Sequence, residues 1–197
     1  MRHACLAVAL LLAACSAPDR PEAAAPTPAA TVAASPTMTT MTTMPPAPPA
    51  GMARFDGYGD MRFGMDEAAF ATAWGGGLNA GPSSGSNCFY KTPQWVKHPP
   101  EFAFMFEHGR FVRYDVGTAK ETAPGGGKVG MAEAGIRALY GASLETAPHK
   151  YVAGARYLRV AAPQGESALV FETDARGRVT RWRVGVAPQV DYVEGCG

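Results

Sequence analysis

The sequence predicts an α+β domain built from two tandem units, each a helix followed by an antiparallel meander, together forming one sheet with the helices on one face. Three observations predict it. First, "RFGMDEAAFATAWG" (62–75) recurs as "KVGMAEAGIRALYG" (128–141), with Gly64, Met65, Glu67, Ala68 and Gly75 matched by Gly130, Met131, Glu133, Ala134 and Gly141. Second, "GRFVRYDVG" (109–117) recurs as "GRVTRWRVG" (177–185) at nearly the same distance downstream, and two recurrences in the same order point to a duplicated unit. Third, the segments after each helical pattern alternate apolar and polar residues around Gly-containing turns, as half-buried hairpins do. The units are assigned to 53–120 and 121–197.

In the first unit Met65, Ala69 and Ala73, with Phe70 and Trp74, share one helical stripe, and Gly75 stops the helix. "CFY" (88–90) is a strand, and "FAFMFEHGRFVRYDV" is a hairpin turning at "EHG". In the second unit Met131, Gly135 and Leu139, with Ile136 and Tyr140, form the stripe up to Gly141. "HKYVAGARYLRV" (149–160) and "ALVFETDARGRVTRWRV" supply its strands. Strand parity puts Val112, Tyr114 and Val116 under the helices, with Thr180, Trp182 and Val184. Arg113, Asp115, Arg181, Arg183, Met105 and Glu172 then point the other way, onto an open face. Tyr157 and Arg159 extend that face if "ARYLRV" pairs in the expected register.

Ahead of this domain the composition is different. Arg2 and His3 precede the apolar run "ACLAVALLLAA" (4–14), which is too short to span a bilayer and reads as a signal segment, 1–14. It ends in "LAAC" (12–15), which resembles the lipobox of bacterial lipoproteins. That resemblance implies that Cys15 becomes the lipidated first residue of the mature chain. Ser16 in place of Asp then implies sorting to the outer membrane, with the domain in the periplasm or at the cell surface. More than one acyl chain gives stable anchoring. Residues 15–52 are the lipidated Cys and a Pro/Thr/Ala/Met-rich tether, unable to bury enough apolar surface to offset ordering entropy. Extended as polyproline II, the tether reaches on the order of 100 Å. Met38, Met41 and Met44 would line one side of such a helix; Cu(I) binding is one reading and low-complexity composition the other.

Cys5 lies in the signal segment, which leaves Cys88 and Cys196. An even pair in an exported domain reads as a disulfide; a two-Cys metal site lacks CxxC spacing and a paired His. No cofactor or metal site is expected.

The duplicated "GM-E" helix and its meander, across 54–197, resemble the tandem-repeat fold of the β-lactamase inhibitor protein family and, more distantly, helix-plus-meander lipoproteins of outer-membrane assembly. The "DYVEGCG", "HKY" and "DGYG" segments are similar to exported lipoproteins of Xanthomonas-type bacteria, some of them lectin-like. These resemblances imply architecture and compartment and carry over no contact residue.

The chemistry-bearing residues point away from catalysis. His98, His108 and His149 stand without a GxSxG elbow, an HExxH or a paired-carboxylate motif. "APGGGKVGM" is no phosphate loop, because Thr122 and Val129 occupy the positions that need Gly and Ser/Thr. A net charge of +1 and export argue against nucleic acid. What remains is binding. The open face with Arg113, Arg181, Arg183, Tyr157 and Arg159 suits an acidic envelope protein or an anionic glycan, since Arg takes carboxylates bidentately; the alternative is a solvated Arg/Glu ladder. Trp95, in the long irregular stretch 83–102, is either an anchor for a protein or sugar ring or a residue packed on the core edge. The expected function is therefore non-enzymatic protein binding, inhibitor-like or in envelope assembly, with carbohydrate binding as the alternative.

Overall fold

The computed structural model describes residues 51–79, 87–98 and 101–196. Cys15, the signal segment, the tether up to residue 50 and Met38, Met41 and Met44 lie outside the described residues.

Three two-residue strands, β1 (Ala53–Arg54), β2 (Gly57–Tyr58) and β3 (Met61–Arg62), form a small antiparallel sheet. Helix α1 (Glu67–Trp74) begins where Asp66 Oδ1 accepts from the Ala69 amide at 2.8 Å, and it ends at Gly75, whose left-handed backbone (φ 65°) turns its N–H onto the Ala71 carbonyl. Then come β4 (Leu78–Asn79), β5 (Cys88–Pro93), β6 (Phe102–Glu107) and β7 (Arg110–Val116). Helix α2 (Glu133–Tyr140) starts after Ala132, which offers no side-chain cap. It is followed by β8 (Leu144–Pro148), β9 (Arg156–Ala161), β10 (Ser167–Thr173) and β11 (Val179–Val186). Strands β4 to β11 make one eight-stranded antiparallel sheet in the order β4-β5-β6-β7-β11-β10-β9-β8. The fold is α+β. Within 149–160, expected to supply strand, residues 149–155 form a loop and "ARYLRV" runs into β9, while β8, not expected, forms earlier.

The recurring segments make matching contacts. The Gly64 amide donates to Phe111 O at 2.8 Å and the Phe111 amide to Met65 O at 2.9 Å. Gly130 donates to Val179 O at 2.8 Å and Val179 to Met131 O at 2.9 Å. Both glycines have left-handed φ, 88° and 90°, a conformation a side chain would strain. Arg110 Nη1 reaches Gly64 O at 3.2 Å, and Arg178 Nη1 reaches Gly130 O at 3.1 Å. The recurring Gly-Met and Gly-Arg pairs thus clip each helix start to the edge of a hairpin.

One aromatic core lies between the helices and the sheet. Phe70 meets Phe104, Phe106 and Phe111 edge-on at 4.9, 5.0 and 4.8 Å, and Tyr114 meets Trp182 at 5.9 Å. Ile136 is fully buried in the same cluster. The small sheet is fastened to this core by polar bonds that satisfy buried hydroxyls: Tyr114 Oη donates to Arg54 O at 2.9 Å and Ser167 Oγ to Phe55 O at 2.6 Å.

Two parts of the sequence-based parity are corrected. Register shifts at Met105/Phe106 and Glu172/Thr173 insert a bulge in each hairpin. Beyond them Phe111 and Val179 join the core, whereas Val112 stays outside that cluster and Thr180 is exposed, its Oγ1 donating to Glu172 O at 3.2 Å. The buried helical stripes run through Phe70, Ala73 and Trp74 and through Ile136 and Tyr140, leaving Ala69 and Leu139 exposed. Phe70 and Ile136 are the fully buried residues of their helices, so they fix the rotation of each helix.

Candidate binding surface and the C-terminal strap

The sheet face away from the helices holds the predicted arginines. Asp115 opposes Arg183, and Arg183 opposes Val170, which opposes Arg159. Arg181 opposes Glu172, which opposes Tyr157, while Arg113 opposes Gly185. Directly opposed residues share a face, so Arg113, Arg181, Arg183, Tyr157 and Arg159 are brought together as predicted.

That face is not open. After β11 the chain turns at Ala187–Pro188, a cis peptide bond, enters a 3-10 turn over Gln189–Asp191 and crosses the sheet as a strap ending at Cys196. The strap is fastened at both ends. Val190 is fully buried against Ala168, Val170 and Tyr157. Cys196 is disulfide-bonded to Cys88 on β5, with Cα atoms 5.3 Å apart, so the expected pairing is present.

Two arginines hold the middle. Arg113 Nε and Nη2 fork onto Asp115 at 2.9 and 2.5 Å, and Nη1 donates to the Gln189 and Tyr192 carbonyls at 2.9 and 2.7 Å. Arg183 Nε donates to Val190 O at 2.5 Å, and its Nη1 pairs with Glu172. Arg113 and Arg183 are only 4% and 3% exposed. For Arg113, burial opposes the charge, but the Asp115 carboxylate outweighs it and raises the proton affinity; for Arg183, burial and the Arg113 charge lower it. The expectation that Arg113 and Arg183 form a solvent-facing partner surface is therefore corrected. Each guanidinium is desolvated and spent on a carboxylate and on strap carbonyls, the arrangement that makes a buried charge tolerable.

Around the strap the surface is more varied. Arg159 Nε faces Asp191 at 3.3 Å. Lys150 Nζ meets Glu194 at 3.0 Å, and Tyr151 Oη also contacts Glu194. His149 Nδ1 accepts from the Tyr151 and Val152 amides at 3.1 and 3.2 Å, which places the neutral ring's proton on Nε2, 3.7 Å from Glu172 Oε2. Its ring stacks on Tyr157 at 4.5 Å. The loop backbone is thereby pinned, yet Tyr151 is 59% exposed beside an exposed Val152. Arg181 keeps 54% of its side chain in solvent.

Trp95 follows β5, tilted on Phe102 at 5.9 Å and 55% exposed, so it is both core-backed and displayed. Among the described residues no group of three His, Cys, Asp or Glu side chains converges as a metal site would. No helix among the described residues is long and apolar enough to cross a membrane. Tyr151, Val152, Tyr90 and Val193, which shape this face, were not singled out by the sequence. A Cys one residue from the C-terminus, paired to a strand on the far half of the sheet, was the signal that the tail must cross a face.

The fold class is thus an α+β domain with one long antiparallel sheet and a disulfide-fastened C-terminal strap. No protein-family model matches the chain, and no curated protein matches it. Among solved structures it is similar to an extracellular protein containing a SCP domain from Bacillus anthracis str. Ames, at 11% identity and a TM-score of 0.41, covering 63% of this chain and 44% of that one. The chain therefore spans less than half the length of the structure it matches.

Proposed function

We propose that the chain is an outer-membrane lipoprotein, anchored through Cys15, that presents a duplicated helix-plus-meander domain as a non-enzymatic module for binding an envelope protein. The matched Gly64–Phe111 and Gly130–Val179 contacts support the duplication. The observation that carries binding is the pinned loop at 149–155. Two backbone amides bonded to His149 and an ion pair to the strap hold it, while Tyr151 and Val152 remain exposed. A rigid aromatic displayed to solvent loses little entropy on binding, and Tyr is favoured at binding hot spots.

A photo-crosslinking residue placed at Tyr151 or Val152 of the full-length protein, in intact cells, should capture a discrete partner. The same residue at Ala71, on the helix side, should not. Equal labelling from both positions, or none from the loop, would sink the reading. The exposed, Phe102-backed indole of Trp95 favours a second reading, carbohydrate binding. Glycan-array binding that disappears in Trp95→Ala while the loop captures nothing would replace the first reading with this one.

A further inference from the structure

The strap does not seal against the sheet. Between it and β5, β6, β7 and β11 lies a cavity of about 380 Å³, at the small end of the ~300–1,000 Å³ range of ligand sites. Ala103, opposite Asp115, supplies apolar wall on the sheet, and Val193 does so on the strap. Gly195 passes directly over the Tyr90 hydroxyl, where a Cβ would come within 2.6 Å of that oxygen.

The charged groups lining the cavity, Arg113, Asp115 and Arg181, and those beside it, Arg183 and Glu172, are unevenly satisfied. Three guanidiniums, Arg113, Arg181 and Arg183, meet two carboxylates, Asp115 and Glu172. Arg113 is forked on Asp115 and Arg183 is paired with Glu172. Arg181 Nε stands 3.5 Å from a Glu172 carboxylate that Arg183 and His149 already face, and its side chain makes no hydrogen bond among the described residues. Arg181 is therefore the surplus cation, and it is the exposed one of the three. The Tyr90 hydroxyl lines the same cavity, also without a hydrogen-bond partner among the described residues. Glu194 at the rim is neutralised by Lys150.

One guanidinium with a shared ion pair and no hydrogen bond, one phenol without a hydrogen-bond partner among the described residues, and an apolar wall define a ligand class. A cationic ligand would face Arg181 with no unpaired carboxylate to receive it. A sugar would need several convergent donors and acceptors. We propose that the cavity binds a small organic monocarboxylate, its carboxylate received by Arg181 and the Tyr90 hydroxyl and its apolar body lying on Ala103 and Val193. This site is independent of the partner loop at Tyr151 and Val152.

The test is amide chemical-shift titration of the full-length, disulfide-intact protein with 3-phenylpropanoate, its neutral amide and the corresponding amine. The acid should give saturable shifts at Tyr90, Val116 and Val193 in the millimolar range or tighter, and the amide and amine should bind at least about tenfold more weakly, as loss of a charged hydrogen bond implies. Arg181→Gln should weaken the acid by about tenfold or more with an unchanged melting temperature, and Tyr90→Phe by a smaller factor. N-acetylphenylalanine separates two sources of the same chemistry: tighter binding than 3-phenylpropanoate assigns the site to peptide C-termini, weaker binding to free acids. The proposal is overturned if the amide binds as well as the acid, if folded Arg181→Gln binds it unchanged, or if millimolar acid moves none of these amides. Since Arg181 is exposed, that variant keeps the test readable even if Tyr90→Phe disturbs the strap.

Discussion

Arg113 and Tyr192 lie 79 residues apart in sequence, yet the guanidinium of one donates to the main-chain carbonyl of the other at 2.7 Å. The same guanidinium is forked on Asp115. One side chain therefore neutralises a carboxylate on the sheet and fixes the strap above it. Arg113→Ala should destabilise the protein by about 3 kcal/mol, the lower part of the range for breaking a buried pair, because Asp115 keeps some access to water. Arg181→Ala should stay within about 0.5 kcal/mol. Denaturant unfolding of the two variants checks the contrast, and similar costs for both would contradict the burial assigned here.

The disulfide closes a loop with a sequence separation of 108. In the loop-entropy description that constraint is worth about 4–5 kcal/mol, less any native strain. Cys196→Ser should lower stability toward that amount, and reductant should do the same to the unmodified protein while leaving the variant unaffected. Thiol labelling of the native, unreduced protein should find neither Cys88 nor Cys196.

Helix rotation can be tested on two neighbouring residues. Ile136 is fully buried, whereas Leu139, which the sequence pattern puts on the same stripe, is exposed. Ile136→Ala should cost about 2–5 kcal/mol and Leu139→Ala about 0.5 kcal/mol or less. Phe70→Ala, removing the ring that three other phenylalanines surround, should cost about 3–5 kcal/mol. A costly Leu139→Ala would mean that the helix is rotated from the position described.

Alkaline pH should unfold the protein through its tyrosines. Burial pushes the Tyr140 phenol up to about 12, although its bond from the Gly127 amide works in the other direction. Burial also raises Tyr58, Tyr90 and Tyr114. In the unfolded chain these phenols titrate near ~10. Between about pH 10 and 12 the unfolded state therefore binds fewer protons than the folded one, and stability falls as pH rises. Tyrosinate absorbance should appear together with loss of the folded circular dichroism signal. Free titration of all tyrosines at ordinary values, with the fold intact, would contradict their burial.

The proposed anchoring rests on Cys15. Cys15→Ser should release the protein from membrane pellets or stall its maturation, and palmitate labelling should vanish. Unchanged labelling would remove the lipobox from the account.

What the sequence determined by itself is what short-range chemistry controls. The α+β class, both hairpins and the helix stop at Gly75 follow from apolar periodicity and from glycines at left-handed positions, which act within a few residues. Cys88 and Cys196 were legible as a pair because they were the two cysteines left in the domain. Strand parity also placed Arg113, Arg181, Arg183, Tyr157 and Arg159 on one face, since both bulges in their hairpins lie outside the stretch that orients them.

What only the tertiary structure decided is exposure. Alternation tells which way a side chain points from its strand, not what lies above it. The strap over 187–196 has no periodicity of its own to advertise a docking site, and Val190 and the carbonyls it brings are ordinary in sequence. Two arginines that read as a surface are buried because the disulfide and Val190 carry main-chain carbonyls over them, and a desolvated guanidinium keeps its charge only by donating to such groups. Arg181, two residues from Arg183 on the same strand, stays in solvent because the strap leaves a gap there. That difference comes from the path of residues 187–196 across the sheet, a contact between chain segments that no local pattern encodes.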